Sequence, residues 1–249
     1  MRRFVLFLLL LGLLCLGNAD AFWQSRDSNY DANVVSGVTP VAFDAKAVTA
    51  TYGASVSTIT NTTLTVGSGA ASNGALVATF ITSNSTPTIT CHWDSTGTNQ
   101  LMTGLITSSS GIGGQGGIII LGLLLPTAGN KTLSCTPGGS YGDQHLSAVS
   151  FTNVNQTNIA TAFPHTAGAT GTSISPAVTV TSAANNMTVD AMGSNDVIVS
   201  SAKTNLFQTN SGNVRGGSSY AAGAASVVFG WTLNSSAVWT DAAVDIAHQ

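Results

Sequence analysis

Gly116 to Thr136, GGIIILGLLLPTAGNKTLSCT, decides the fold of this chain. Its apolar run, Ile118 to Leu125, is interrupted by Gly122 and is far too short to span a bilayer as a helix. A short apolar run bounded by Gly and Pro reads as a strand buried on both faces. Pro126 to Asn130 then supplies turn residues, and Lys131 to Thr136 returns with Leu133 and Cys135 alternating against Thr132 and Ser134. The expectation is a central β-hairpin.

Composition extends that reading to the whole chain. Its 249 residues contain no Glu and are rich in Thr, Ser, Ala, Gly, Asn and Val. Helices draw on Glu, Lys, Leu, Arg and Gln, whereas Thr and Val suit a pleated, half-buried strand. Period-2 stretches run through Val41 to Asp44, Ala47 to Tyr52, Ser57 to Val66, Ala75 to Ile81, Thr88 to Asp94, Leu101 to Ile106, Gly117 to Leu125 and Lys131 to Thr136. They continue through His145 to Thr152, Ser175 to Thr181, Met187 to Met192, Ser226 to Leu233 and Val238 to Ala247. So many short strands bury their apolar faces by packing as two sheets or closing into a barrel. The expected fold is all-β, a two-sheet antiparallel β-sandwich of jelly-roll or Greek-key type. The longer joins Val154 to Ile174 and Asn195 to Tyr220 are expected to cross between sheets, and the last two stretches to form a closing hairpin with Ala242, Val244 and Ile246 inward. No internal repeat is evident in the residue pattern.

The start of the chain reads as an export signal. Arg2 and Arg3 precede an apolar core from Val5 to Gly17, and Asn18 to Ala21 offers small residues at a cleavage position. Residues 1–21 are thus expected to be removed, 22–40 to form an extended leader or arm, and 41–249 a single β-sandwich domain. No membrane span is expected after cleavage, and Cys15 lacks the small residue directly before it that lipidation favours. Loss of Arg2, Arg3 and Asp20 leaves five basic residues against nine acidic ones, too few and too scattered to neutralise nucleic-acid phosphates. The remaining Cys91 and Cys135 are expected to pair, because exported cysteines oxidise and both sit at inward positions of their strands, beside Ile89 and Trp93 and beside Leu133. The secreted or cell-surface compartment, or a periplasm, is the expected location.

Five ordered pieces carry a resemblance: Ser72 to Val77, Leu124 to Thr132, Ala148 to Gln156, Ser173 to Val180, and Val228 to Leu233. Together they resemble a family of β-sandwich modules found in secreted and surface proteins of bacteria, mostly of unknown function. The similarity covers Phe43 to Ile246. It implies an extracellular module, at times repeated or set beside fibronectin-like or catalytic domains, and it brings no catalytic motif. The cysteine pair, and a single module behind a signal peptide, depart from the commoner pattern.

Two residue groups stand out as candidate ligand-binding sites. His92 and Asp94 share a strand face opposite Ile89, Cys91 and Trp93, where they could hold a metal or act as an acid/base pair; the plainer reading is two polar groups facing solvent. Trp239, Asp241 and Asp245 share the other such face, expected to point outward, where an aromatic ring beside carboxylates suits a sugar. The plainer reading there is a Trp covering the sandwich end and acids keeping an edge strand soluble. His145, His165 and His248 lack metal-ligand spacing with one another. Gly111 to Gly117 lacks the Lys-Ser/Thr and helix of a phosphate loop, and no Gly-x-Ser-x-Gly elbow occurs. No resident cofactor is expected, calcium being the one candidate ion. Asn-x-Ser/Thr triplets, as at Asn155 and Asn186, matter only in a eukaryotic source.

The leading expectation is an exported, non-enzymatic module binding an extracellular ligand, surface glycan above all. The alternative is a structural subunit of a surface or phage-like assembly, with residues 22–40 as an arm added to a neighbour's sheet. Less favoured is a hydrolase using Asp94, Asp241 or Asp245.

Overall fold

The computed structural model describes residues 38–51, 59–110 and 116–249. The expected signal peptide, most of the leader, and the glycines at 111–115 lie outside the described residues. The described residues form seventeen strands, all paired antiparallel, and two short helices, Ser68–Asn73 and Ile159–Ala162. In the first half they are β1 (Ala42–Thr51), β2 (Ile59–Val66), β3 (Ala75–Thr82), β4 (Ile89–Trp93), β5 (Gln100–Leu101), β6 (Thr103–Ser109), β7 (Gly117–Leu124), β8 (Gly129–Pro137) and β9 (Gln144–Thr152). In the second they are β10 (Thr166–Ser173), β11 (Ala177–Thr181), β12 (Met187–Ser194), β13 (Ile198–Ser201), β14 (Thr204–Thr209), β15 (Arg215–Ala222), β16 (Ser226–Leu233) and β17 (Ala237–Ile246).

They form sheets in two pairs. The first half contributes β1-β9-β3-β7-β6 and β2-β8-β4-β5; the second contributes β10-β17-β12-β15-β14 and β11-β16-β13. Strand for strand, the order in the second half repeats that of the first, with β10 in the place of β1, β12 of β3, β17 of β9 and β16 of β8. Only the two-residue β5 has no counterpart. The repeat therefore exists in topology although the residue pattern does not show it.

Alternation along each strand explains the layering. In β7, Ile119 and Leu121 face β2-β8-β4 and pack with Leu76, Phe80, Cys91, Trp93, Leu133 and Cys135. Ile118 and Ile120 face the other way and pack with Val189, Ala191, Ala242, Val244 and Ile246 of the second half. The two five-stranded sheets thus share one apolar core, and each also carries a smaller sheet on its far side, a four-layer arrangement. Burial of β7 on both faces is as its sequence indicates.

The two expected hairpins are corrected. β7 already has β3 on one edge and β6 on the other, so β8 has no edge to pair with. The turn instead carries the chain over into the smaller sheet, with Leu125 at φ 51° and Gly129 at φ 94°. Leu133 and Cys135 then look back at Ile119 and Leu121 across the core. The last two strands behave alike: β16 pairs with β11 and β13, while β17 pairs with β10 and β12. Ala242, Val244 and Ile246 do face inward, toward the first half.

Other differences have local causes. The stretches expected at Val41 to Asp44 and from Ala47 onward fall in one strand, Ala42–Thr51, because a bulge between Phe43 and Ala45 keeps both on β9. The joins Val154 to Ile174 and Asn195 to Tyr220 contain β10, β13, β14 and most of β15. β15 carries Gly216 and Gly217 because there is no room for more: a Cβ would lie 2.9 Å from His145 at the first and 2.6 Å from Trp231 at the second. The disulfide is present, Cys91 opposite Cys135 on β4 and β8 with Cα atoms 4.0 Å apart. Such bonds persist in oxidising surroundings outside the cytoplasm. Among the described residues no helix is long and apolar enough to cross a membrane.

Candidate functional site

Asp94 and His92 do not form a joint site. Strand β4 ends at Trp93, and Asp94 takes φ 50°, so the alternation that would align it with His92 is broken. Its carboxylate turns into the following loop, where it accepts the Thr98 N–H at 3.0 Å and the Thr98 hydroxyl at 3.1 Å. Lys131 Nζ approaches at 3.4 Å. The Thr98 N–H, with the Thr98 hydroxyl and Lys131, holds the carboxyl below its ordinary pKa against the opposing effect of burial. The Thr98 hydroxyl also meets Thr127 Oγ1 at 2.7 Å, and Trp93 Nε1 donates to the Thr127 carbonyl at 3.0 Å. Asp94 therefore fastens this loop to the β7–β8 crossing. His92 is half-buried, with Nδ1 3.5 Å from the Asn99 carbonyl.

Trp239, Asp241 and Asp245 share one face, as their spacing indicates, but that face is not solvent. They point at β11-β16-β13, and Asp241 and Asp245 are completely buried. Trp239 packs with Met192, Ile198, Trp231 and Leu233, lies against Gly171, and donates from Nε1 to Ser173 Oγ at 3.0 Å. Asp245 accepts from Ser182 Oγ at 2.6 Å and from Asn186 Nδ2 at 3.0 and 3.1 Å. Asn186 Oδ1 in turn receives the backbone N–H of His248 and lies 2.8 Å from its Nδ1. Burial raises the Asp245 carboxyl, against the pull of Ser182, Asn186 and His165.

A third carboxylate on the same face was not singled out by the sequence reading. Asp190, in β12, accepts from Ser219 N at 2.7 Å, Ser219 Oγ at 2.6 Å and Trp231 Nε1 at 2.7 Å. Burial pushes its carboxyl up to about 7 despite these donors. Asp241 has no hydrogen-bond partner on either oxygen. Burial, and then the charge of Asp190, raises it well above the ordinary carboxyl value; the Ala242 N–H opposes weakly without reaching hydrogen-bond geometry. The signal for Asp190 lay in MTVDAM, where an acid occupies an interior position of an otherwise apolar and small strand.

Sealed under a sheet, these three acids have no exposure to solvent. Among the described residues no group of three or more His, Cys, Asp or Glu is placed to hold a metal ion.

A polar hollow of about 410 Å³ opens elsewhere, lined by Asn155, Gln156, Thr157 and Gln249. Its frame is fixed by backbone bonds from Asn155 to Ala247 and from Gln249 to Asn153. Gln156 Nε2 donates to the carbonyls of Gly74 and Val154, and Asn155 Oδ1 accepts from Thr157 N at 2.9 Å. The lining side chains are amides and a hydroxyl, none of them charged. Comparison with protein-family models and with curated proteins finds no match.

Proposed function

We propose that this chain is an exported, non-enzymatic β-sandwich module that binds a neutral extracellular glycan at the Asn155–Gln249 hollow. The hollow supports the reading: its amide and hydroxyl side chains, on a fixed frame, match the donors and acceptors of sugar hydroxyls. In this reading the face of Trp239, Asp241 and Asp245 has no binding part. We read each half as a β-sandwich of jelly-roll type; the interleaved order of its eight main strands over two antiparallel sheets supports this. Export rests on the signal-like start and the disulfide, in keeping with the resemblance to secreted bacterial modules.

A structural subunit is the second reading. It is favoured by the outward positions of β11 and β16, where Thr179, Thr181, Ser226, Val228 and Thr232 are exposed and uncharged, leaving a flat sheet face available to a neighbour. Screening residues 22–249 against neutral glycans, with and without calcium, separates the two. Binding that weakens at least about tenfold in Asn155→Ala/Gln249→Ala supports the glycan reading. No binding, together with a solution mass of several chains, contradicts it in favour of assembly.

A further inference from the structure

Inside the second sheet pair two carboxyl groups are neighbours, with no cation among the described residues placed to balance them. Asp241 is opposite Met192 and Asp190 is opposite Ala243, so the two acids are diagonal neighbours on adjacent strands and on one face. Their Cβ atoms are thus about 7–8 Å apart or somewhat less. Both residues are 0% exposed.

The surroundings of Asp241 contain no compensation. On β10 it faces Ala169, and on β12 Met192 and Asp190. On β15, Gly217 and Ser219 follow at the same level. From the covering sheet come Val178 and Val180 of β11, Ile198 of β13, and Phe229 and Trp231 of β16. On its own strand it has Trp239, Ala243 and Asp245, the last already held by Ser182 and Asn186 and under the influence of His165. Three of the four described Lys and Arg residues are engaged elsewhere: Lys46 with the Asn205 and Leu206 carbonyls, Lys131 with Asp94, and Arg215 with the Asn195 and Asn213 carbonyls; the fourth, Lys203, lies in the turn between β13 and β14. The charge that bears on Asp241 is that of Asp190, which repels.

We infer that protons on Asp190 and Asp241 hold the sheet β11-β16-β13 against β10-β17-β12-β15-β14, so that the second half is tight in acid and loosens as the medium turns neutral and then alkaline. Asp190 can ionise in place, because three donors converge on it. Asp241 cannot: losing its proton leaves a charge in an apolar layer beside a second carboxylate, and the charge reaches water only if the covering sheet lifts. The buried acids described in the first half are not such a pair: Asp94 is engaged by Thr98 and Lys131, and Asp143 accepts the N–H groups of Asn213 and Val214. Loosening is therefore confined to one sheet pair. The device suits a protein working in acidic surroundings and releasing or rearranging its outer sheet when they change.

Amide hydrogen exchange of the full mature chain, read by mass spectrometry on peptides from β11, β13 and β16 between pH 5 and 9 and corrected for the intrinsic pH dependence of exchange, tests this. Each carboxyl kept protonated in the closed form makes opening grow about tenfold per pH unit until it ionises in place. Asp241→Asn keeps the shape without the charge, so its opening should rise less steeply, by about that factor. Peptides from β3 and β7 should show no such difference between the two chains. Equal slopes in the wild type and Asp241→Asn, or opening of the wild type that does not change with pH, would overturn the inference. If Asp241→Asn does not fold, Asp241→Leu is read in the same way.

Discussion

Replacing Cys91 and Cys135 together by alanine should lower the unfolding free energy by about 4 kcal/mol, the chain-entropy value for a closed loop of this length. The bridge spans a sequence separation of 44 residues. It joins strands that are already hydrogen-bonded neighbours, so it adds little contact to the folded form and acts mainly on the unfolded chain. Two consequences can be measured by denaturant unfolding: a lower midpoint, and a steeper dependence on denaturant because the released chain exposes more surface. Both sulfurs belong to residues with no exposure, so reductant should act on the folded protein only through opening. A loss under about 1 kcal/mol would contradict this account of the bridge.

Asp190→Ala should cost a similar amount, but only in acid. The substitution leaves the Ser219 N–H, the Ser219 hydroxyl and the Trp231 indole N–H without an acceptor in a dry layer. At about 1–3 kcal/mol each, less what rotation of the hydroxyl recovers, the deficit near pH 4 is on the order of 3–5 kcal/mol. The pH dependence has a definite sign. The folded-state value of about 7 stands above the ordinary 3.8, so the stability Asp190 contributes is full below pH 3.8 and is lost as pH rises toward 7. At about 1.4 kcal/mol per unit that is on the order of 4 kcal/mol across the window, so the deficit of the variant should shrink by this amount. Unfolding of both chains at several pH values measures it, and a deficit that grew toward neutrality would contradict the burial of Asp190.

The sequence was most legible where alternation and burial agree. Ile118 to Leu125 reads as a strand covered on both sides because it is apolar at odd and even positions alike, and it is covered. The inward register of Cys91 and Cys135 was equally plain. What alternation does not give is the partner of a strand. The Pro126 to Asn130 turn could close a hairpin or cross to another sheet, and the choice is made by β3 and β6, which already occupy both edges of β7. Strands β10 and β15 were hidden for a different reason: TAGATGTS and RGGSSYAA are small and Gly-rich because Trp239 and Trp231 lie against Gly171 and Gly217.

The candidate site was legible in part. Spacing put Trp239, Asp241 and Asp245 on one face and Ala242, Val244 and Ile246 on the other, as they are. The step from polar to exposed failed because β17 has sheets on both sides, and its acids are answered by Ser182 and Asn186, or, at Asp241, by no partner at all. Asp94 likewise serves a loop, its carboxylate engaged by Thr98 and Lys131.

The central claim is that the three acids of the second half lie sealed between its sheets. Coupling of an amine to the carboxyl groups of the folded protein with a carbodiimide, mapped by mass spectrometry, tests it most directly. Asp44 and Asp196 are partly exposed and should react, whereas Asp190, Asp241 and Asp245 should stay unmodified until the chain is unfolded. Modification of Asp241 or Asp245 in the folded protein at the rate of Asp44 would contradict the claim and return their face to solvent.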